Sequence, residues 1–281
     1  MSQQLGERSL ELPGACRWMV KEGRNIVLHR LSNKLPVLAF GVRSSRTVDI
    51  AKVALNSGHH VLWIDLEHST MSIDVAAQMC SAALDSGLVP LVRVPEKDYG
   101  VIGRLLDGGA AGIMAARVET AEQAAEIAAA CRFPPRGCRS QIGALPLFGL
   151  KRIPPREHNA LANQATLVVI SIETEVGFRN VEAIAALDGV DFVISGNNDF
   201  SADLGVLGDY RNEAIHAANA RAIKACAKFG KPFALGGIGD VQYMREMIEQ
   251  GAAPFFITGI DSEILRDTAQ DKVNTLLAAL K

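Results

Sequence analysis

Short apolar runs that alternate with alanine-rich helical segments constrain the fold of this chain more than any other feature. Runs of four to eight residues rich in Val, Ile, Leu and Phe, bounded by turn residues, predict buried strands. Eight such strands are predicted, at 36–42, 61–66, 89–94, 112–118, 167–173, 191–196, 232–237 and 254–259. Eight strands that alternate with helices predict a fold of the α/β class, a single-domain (β/α)8 TIM barrel.

The helical segments between the strands support this prediction. Residues 72–86 and 213–229 repeat their apolar positions with helical period, and Thr120 and Gln123 are predicted to form a capping box that opens a helix over 120–131. A doubly wound open sheet is the main structural alternative. That fold is favoured by a glycine-rich phosphate loop after an early strand, and the sequence has no G-x-G-x-x-G or Walker pattern.

Two segments lie outside the simple alternation. Residues 1–35 precede the first strand as an N-terminal extension, in which 15–31 are predicted to be helical and to cap the bottom of the barrel, so that 36–281 form the barrel domain. Residues 132–166 form a long connection before the fifth strand. Long loops in compact domains are usually functional, so 136–143 (RGCRSQIG) are expected to edge the active-site mouth, with a packing or oligomer-contact loop as the alternative.

Composition excludes several classes of protein. The net charge is -2 and no basic stripe is present, which argues against a nucleic-acid partner. No apolar run reaches the roughly 18 residues that span a bilayer, so no membrane partner is expected. The five cysteines form no Cys-x-x-Cys pair, which argues against a disulfide framework or zinc cluster and favours a cytoplasmic location; they are Cys16, Cys80, Cys131, Cys138 and Cys226.

Glu173 and Asp199 each stand where a predicted strand ends. In parallel α/β folds the carboxyl ends of consecutive strands meet at one rim, so both carboxylates are expected there. Oxygen ligands without Cys or His suit Mg²⁺ or Mn²⁺, which keep several bound waters. The pair therefore predicts a hard-metal site that polarises a 2-oxo acid. The bland alternative is a structural salt bridge with arginines of the barrel.

Other reactive side chains follow the second and third strands. Asp65 and His68 come after the second strand, with Glu67 between them, and Arg93 ends the third. Arg93 is predicted to stabilise a developing oxyanion, and His68 to move a proton because its ordinary pKa lies near neutrality. A neighbouring acid, Asp65 or Asp107, is expected to orient the His68 ring.

A set of ordered motifs resembles a known family. They lie at 64–68 (IDLEH), 92–93 (VR), 105–110 (LLDGGA), 118–124 (VETAEQA), 133–139 (FPPRGCR), 172–174 (IET), 182–185 (EAIA), 189–191 (GVD), 196–201 (GNNDFS) and 230–231 (GK). Together they resemble the HpcH/HpaI aldolase family, the metal-dependent class II pyruvate aldolases. The resemblance runs from about the first strand to the eighth.

The resemblance implies a (β/α)8 barrel that exchanges a C-terminal helix between subunits and assembles as a homohexamer, a trimer of dimers. It implies a divalent ion, Mg²⁺ or Mn²⁺ with Co²⁺ as a third option, on Glu173 and Asp199. Aldol cleavage of a 4-hydroxy-2-oxo acid to pyruvate and an aldehyde would pass through a metal-bound pyruvate enolate, with His68 moving protons and Arg93 on the pyruvate oxygen. The substrate-binding set is completed by Ser171, Gly196, Asn197, Asn198 and Gly236.

The chain departs from the family pattern where the substrate would lie. Ser171 replaces the usual Gln two residues before the metal Glu, and Asn197 and Asn198 replace the usual Pro-Ala. These changes leave other substrates and reactions open: an oxaloacetate decarboxylase, or an enzyme like macrophomate synthase that decarboxylates oxaloacetate and traps the enolate. A non-catalytic oligomeric ligand-binding barrel is the alternative from another class.

Overall fold

The computed structural model describes residues 14–280 and contains one eight-stranded parallel sheet that curves into a nearly closed barrel. The sheet order is β8-β1-β2-β3-β4-β5-β6-β7, and the seam between β7 and β8 carries a backbone hydrogen bond from Ala253 to Phe233 at 2.7 Å. The predicted (β/α)8 barrel is confirmed. The strands are β1 Val37–Val42, β2 Val61–Asp65, β3 Val89–Val94, β4 Gly112–Ala115, β5 Leu167–Ile172, β6 Phe192–Gly196, β7 Phe233–Gly236 and β8 Phe255–Ile260.

Helices surround the sheet, and short ones interrupt the connections. Thr120 and Gln123 form the predicted capping box at the start of the helix that follows β4. No described helix is both long enough and apolar enough to cross a membrane. The helices are α1 Cys16–Met19, α2 Ile26–Ser32, α3 Asp49–Asn56, α4 Ile73–Ser86, α5 Ile102–Asp107, α6 Ala121–Cys131, α7 Pro155–Ala165, α8 Glu175–Arg179, α9 Val181–Ala185, α10 Asn197–Asp203, α11 Glu213–Ala227, α12 Val241–Glu249 and α13 Asp261–Ala279.

Alternate residues of each strand belong to two separate apolar clusters. Those that face the helices include Leu62 and Ile64 of β2, whereas those inside the barrel include Val61 and Trp63 of the same strand. Successive strand residues point to opposite faces, so each inward row continues with a period of two. The residues that extend these inward rows at the carboxyl ends of the strands therefore reach the mouth of the barrel.

The N-terminal segment covers the amino end of the barrel with two short helices rather than one. The predicted helix over 15–31 is wrong in its middle, because Glu22 and Gly23 take φ values of +51° and +74° and form a tight turn between the short strands Val20–Lys21 and Arg24–Asn25. The Asn25 side chain donates to the Ala165 carbonyl just before β5. Residues 1–13 of the predicted extension lie outside the described residues.

The long connection over 132–166 also lies at the amino end. It begins where α6 ends, and that helix runs back from the carboxyl end of β4 towards the start of β5. The Cys138 amide donates to the Ala129 carbonyl, and the Ala15 amide donates to the Leu147 carbonyl. The structure thus corrects the prediction that 136–143 edge the mouth of their own barrel, and it supports the packing-loop alternative.

Candidate active site

A cavity of about 520 Å³ opens at the carboxyl end of the strands. Most of the predicted site residues line it, although they are far apart in the sequence. Apolar side chains that include Trp63, Met114 and Ile194 form part of its wall. The predicted residues on this cavity are His68, Arg93, Ser171, Glu173, Gly196, Asn198, Asp199 and Gly236.

The inward rows of the strands explain why these residues meet. On β2 and β3, Asp65 and Arg93 are directly paired neighbours. On β5, Ser171 and Glu173 follow the inward Val169 at intervals of two. The inward rows therefore carry apolar side chains deep in the barrel and polar ones at its mouth. This is expected for a barrel whose lower part is packed and whose upper face is functional.

Arg93 is held on three sides by acids and an indole ring. Its Nε and Nη2 donate to the two oxygens of Asp65 at 2.9 and 2.7 Å, and its Nη1 lies 2.8 Å from Glu67 Oε2. The guanidinium also lies 4.8 Å from the centroid of the Trp63 ring. A bidentate, stacked guanidinium has little rotational freedom, so Arg93 presents its remaining N–H groups in a fixed direction.

Asp65 is fully buried and accepts hydrogen bonds from Arg93 and from the backbone rather than from the His68 ring. Burial alone would raise its pKa, but the hydrogen bonds and charges of Arg93 and Arg43 outweigh burial and hold the pKa below its usual value. Its Oδ1 also accepts the backbone N–H groups of Glu67 and His68 at 3.0 and 3.3 Å. The prediction that Asp65 orients the His68 ring is therefore corrected, because its oxygens are already occupied.

His68 stands at the cavity mouth with about half of its side chain exposed. Its Nε2 lies 3.8 Å from Glu67 Oε2, which is a long approach for an ion pair. Neither Asp65 nor Asp107 makes a side-chain hydrogen bond with the ring among residues 14–280. The ring is thus free to turn towards a molecule in the cavity, as a group that moves protons requires.

Glu173 is buried at 3% exposure and accepts a hydrogen bond from Ser171 at 2.7 Å. Burial, followed by the charges of Glu67 and Asp199, raises its pKa to about 7, against the opposing influence of Ser171 and Arg93. A bare carboxylate is therefore disfavoured at this position, and a bound cation would stabilise its ionised form.

The donor set fits a hard divalent cation. Glu173 and Asp199 offer only carboxylate oxygens, and residues 14–280 contain no group of three or more His, Cys, Asp or Glu side chains arranged to hold a metal. A pair of carboxylates that leaves positions for water and substrate is typical of Mg²⁺ and Mn²⁺ sites. Structural zinc, which takes four protein ligands, does not fit this set.

Glycine is required at the point where β6 passes Glu173. A Cβ atom on Gly196 would lie 2.7 Å from Cγ of Glu173 and 3.0 Å from its Cδ. Gly196 is paired across the sheet with Gly236, whose added Cβ would lie 2.9 Å from the Ser195 carbonyl oxygen. Gly196 thus lets β6 approach the Glu173 carboxylate closely, and Gly236 lets β7 approach the Ser195 carbonyl.

The two asparagines after Gly196 differ in role. Asn198 borders the cavity, and its Oδ1 accepts the Tyr210 hydroxyl. Asn197 is fully buried: its Nδ2 donates to Ser195 Oγ and the Gly236 carbonyl at 2.8 and 2.9 Å, and its Oδ1 accepts from Asn219 at 2.8 Å. The Asn197 side chain therefore points into the core towards α11, where α10 begins, and substrate binding by this residue stays a prediction for its backbone.

Asp107 does not reach the cavity of its own chain. It is the last residue of α5, which runs back from the carboxyl end of β3 and so ends near the amino end of the barrel. There its Oδ1 accepts a hydrogen bond from Arg139 Nη2 at 2.8 Å. The prediction that Asp107 orients His68 is corrected for residues within one chain.

Arg43 is a cavity residue that the sequence analysis did not identify. It follows β1 directly, and its Nε donates to Asp65 Oδ2 at 2.5 Å while its side chain lines the cavity. The rule that located Arg93 and Glu173, a charged side chain at the carboxyl end of a strand, also applies to Arg43. The signal was obscured because 43–46 (RSSR) resembles an ordinary polar surface loop.

Comparison with known proteins gives a consistent result. The family model for HpcH/HpaI aldolase/citrate lyase matches residues 43–268. The chain is 34% identical to the 4-hydroxy-4-methyl-2-oxoglutarate aldolase of Hapsidospora irregularis over 86% of this chain and 90% of that protein. It is 36% identical to the protein of the same name from Chaetomium globosum, with 83% and 88% covered.

A solved structure supports the fold as well. The HpcH/HpaI aldolase from Desulfitobacterium hafniense DCB-2 superposes with a TM-score of 0.81 at 26% sequence identity. The match covers 88% of this chain and 95% of that structure. The residues that form the barrel and the cavity thus lie in the part of the sequence that carries the family motifs.

Proposed function

Because the chain belongs to the HpcH/HpaI aldolase/citrate lyase family, we propose that its cavity carries out reversible, metal-dependent aldol cleavage of a 4-hydroxy-2-oxo acid. The products are pyruvate and a second carbonyl compound. The family shows an aldolase of the pyruvate type, and the substrate and the residue roles are our proposal. The observation that supports it is the presence of Arg93, His68, Glu173 and Asp199 on one cavity.

Glu173 and Asp199 would hold the divalent cation, Mg²⁺ or Mn²⁺. The bound cation would supply Lewis-acid stabilisation of the 2-oxo group. Ser171 orients Glu173 through its hydrogen bond, and Gly196 leaves the space that this carboxylate occupies. These contacts fix a ligand that would otherwise prefer to be protonated in its buried surroundings.

Arg93 would stabilise the charge that develops during cleavage. Two of its N–H groups donate to Asp65, and Nη1 lies in ion-pair contact with Glu67, so N–H groups on both terminal nitrogens remain available. Fixed donors that point at a developing oxyanion stabilise the transition state more than the ground state. Arg93 therefore suits the oxygen that becomes the enolate of pyruvate.

His68 would move the protons. In cleavage its ring removes the proton from the 4-hydroxyl group, the bond between C3 and C4 breaks, and its electron pair becomes the enolate of pyruvate. A carbonyl group forms at C4, and protonation of C3 completes pyruvate. No oxidant or reductant is needed. The exposed, unrestrained ring at the mouth is placed for both transfers.

The test is metal-dependent exchange of the pyruvate methyl protons with solvent deuterium, followed by NMR. We expect exchange with Mg²⁺ or Mn²⁺, its loss in EDTA, and its loss in Glu173→Gln with metal restored. Oxaloacetate forms the same enolate without a base, so His68→Ala should impair aldol cleavage more than decarboxylation. Full exchange by EDTA-treated Glu173→Gln would refute the metal-dependent mechanism.

We further propose that α13 packs against a second copy of the chain, as an exchanged helix in a homohexamer. All residues of this helix after Asp261 are exposed, including large apolar ones. Side chains of this kind seldom remain in water in a folded protein. The measurement is the mass of the assembly by light scattering for the full chain and for a Leu265→Lys/Leu276→Lys variant, which should dissociate. The large exposed apolar residues of α13 are Ile264, Leu265, Val273, Leu276 and Leu277, and Leu280 follows the helix.

A further inference from the structure

We infer that Arg43 binds the carboxylate of the second carbonyl compound, so that the preferred substrates are 4-hydroxy-2-oxo acids with a carboxylate at both ends. This inference rests on the proposed function and adds a residue that determines its specificity. Cleavage of such a diacid leaves pyruvate and a carbonyl compound that carries its own carboxylate. The smallest ketone of that kind is a second molecule of pyruvate.

Arg43 has more unused donors than Arg93, which also lines the cavity. Arg93 is only 11% exposed, donates from Nε and Nη2 to Asp65, and has Nη1 in ion-pair contact with Glu67. Arg43 is 29% exposed, and its side chain makes one hydrogen bond, from Nε to Asp65. Within residues 14–280 its two terminal nitrogens have no hydrogen-bond acceptor. Because Arg43 lines the cavity, the four N–H groups on these nitrogens are available to a bound molecule as a planar fork that matches a carboxylate.

Asp65 cannot take up these donors. Its two oxygens already accept from Arg93, from Nε of Arg43 and from the backbone N–H groups of Glu67 and His68. It fixes the plane of the Arg43 guanidinium at the Nε edge and leaves the opposite edge free. A fork held in this way loses little side-chain entropy when a ligand binds.

The backbone of Arg43 is also fixed. The carboxylate of Asp261 accepts the N–H groups of Arg43, Ser44 and Ser45 at distances between 2.6 and 3.1 Å. Arg43 therefore stands on an anchored turn rather than on a free loop. Anchored side chains of this kind determine specificity more sharply than mobile ones.

The position of Arg43 around the barrel fits the far end of a diacid. Glu173 and Asp199 extend from β5 and β6, whereas Arg43 extends from β1. In the sheet order three strands separate β1 from β5, so the two groups face each other across the mouth. A substrate whose 2-oxo acid end lies at the carboxylate pair would direct its other end towards Arg43.

The test compares kcat/KM for two probes, 4-hydroxy-4-methyl-2-oxoglutarate with two carboxylates and 4-hydroxy-2-oxovalerate with one. Pyruvate release is measured with saturating Mn²⁺. We expect the wild type to favour the diacid, and Arg43→Met to lower the diacid-to-monoacid ratio by about 10- to 100-fold, as for loss of a charged hydrogen bond. Any loss that arises from the contact with Asp65 affects both probes and cancels in the ratio. The diacid-to-monoacid ratio of Arg43→Lys should lie between that of the wild type and that of Arg43→Met.

Arg46→Met is the matched control. Arg46 lies on the same turn, donates to the Arg43 and Ser45 carbonyls, and does not line the cavity. Its removal deletes the same charge without the fork, so the ratio should change by less than about threefold. An unchanged ratio in Arg43→Met, or an equal fall in Arg46→Met, would overturn the inference while pyruvate exchange persists. A wild type without exchange would instead overturn the proposed function and this inference with it.

Discussion

Arg93 and Arg132 lie at opposite ends of the barrel, and each is paired with a buried or largely buried aspartate. At the carboxyl end Arg93 meets Asp65 at 2.7 Å, and at the amino end Arg132 meets Asp191 at 2.6 Å. Their side chains are 11% and 2% exposed. The two pairs therefore share residue types and similar surroundings, and they differ in what lies beyond the pair.

Arg132 is surrounded by the backbone of its own chain. Its Nη1 donates to the carbonyls of Asn163 and Thr166 at 2.7 and 2.6 Å, and Asp191 accepts the Val168 amide at 2.6 Å. These contacts join the loop after α6 to the start of β5. Beyond Arg93, by contrast, lies the cavity that Glu173 and Asp199 also line. One pair therefore joins parts of the fold, whereas the other borders the cavity in which we propose the chemistry takes place, the division expected between the two faces of such a barrel.

The largest expected effect is on stability at the amino end. Arg132→Met leaves Asp191 and two carbonyl groups without their partner, so the free energy of unfolding should fall by about 3–5 kcal/mol. Urea denaturation measures this loss. The double variant with Asp191→Asn should lose less than the sum of the single losses, because no lone buried charge remains. A fall of more than tenfold in kcat for the folded single variant would contradict the comparison.

Arg93→Lys should have its main effect on the chemistry. Lysine keeps one charge but loses the bidentate pairing and the fixed donors, so the rate of pyruvate proton exchange should fall by about 100- to 1,000-fold. Stability should change little by comparison, since Asp65 retains Arg43 and two backbone donors. Exchange rates and thermal unfolding of the same preparation measure both quantities. If Arg93→Lys unfolds easily yet exchanges the pyruvate protons at the wild-type rate, Arg93 would stabilise the fold rather than serve the chemistry.

A pair of glycines sharpens the comparison further. Gly196→Ala places a methyl group 2.7 Å from Cγ of Glu173 at the mouth, and Gly189→Ala places one 2.6 Å from Cβ of Ala128 in the helix layer. Because the first change displaces Glu173, a carboxylate that we propose binds the metal, Mn²⁺ affinity should fall by about 10- to 100-fold. The second should cost about 1–3 kcal/mol of stability and leave Mn²⁺ affinity intact.

Isothermal titration with Mn²⁺ and urea denaturation of both variants decide the matter. The expected result is a crossed pattern, in which each variant changes one property and retains the other. Equal loss of Mn²⁺ affinity in Gly189→Ala would mean that crowding anywhere in the barrel disturbs the metal site. The close contact of Gly196 with Glu173 would then carry no special meaning.

The sequence predicts the mouth of the barrel well wherever a residue extends a strand. Glu173 and Arg93 were located because a strand fixes both the end and the inward direction of its last residues. Ser171 follows from the same period of two. Arg43 obeys this rule as well, and it was overlooked only because its surroundings in the sequence resemble a polar loop.

Prediction fails where the period changes or where an element reverses direction. Asn197 begins a helix, so its side chain turns into the core towards Asn219 although Asn198 beside it borders the cavity. Asp107 lies at the end of a helix that returns to the amino end, where Arg139 binds it. Neither outcome can be read from residue type or spacing, because both depend on how an element packs on its neighbours.

Asp261 tests whether position alone separates the two regions, and we expect the smallest effect from it. It lies beside the cavity wall at the start of α13, yet its carboxylate accepts backbone N–H groups, from Arg43, Ser44, Ser45 and Ser262. Burial alone would raise its pKa, but the hydrogen bonds from Arg43 and Ser45 outweigh burial and hold the pKa below its usual value. Asp261 resembles Arg132 because it bonds to the backbone of its own chain. It resembles Arg93 because it lies at the carboxyl end of the barrel.

If its hydrogen-bond partners determine the role of a residue, Asp261→Asn should lower the free energy of unfolding by about 1 kcal/mol at neutral pH, as for loss of a helix cap. A carboxylate with a depressed pKa stabilises the fold above its unfolded-state pKa, about 3.9, and this stabilisation is lost as the pH falls through the folded-state value. The difference between wild type and variant should therefore shrink as the pH is lowered below about 4 in urea denaturation. A difference that stays constant with pH would show that the carboxylate charge contributes nothing. If Asp261→Asn lowers the rate of pyruvate proton exchange as much as Arg93→Lys does, location beside the cavity rather than hydrogen-bond partners would determine a residue's role.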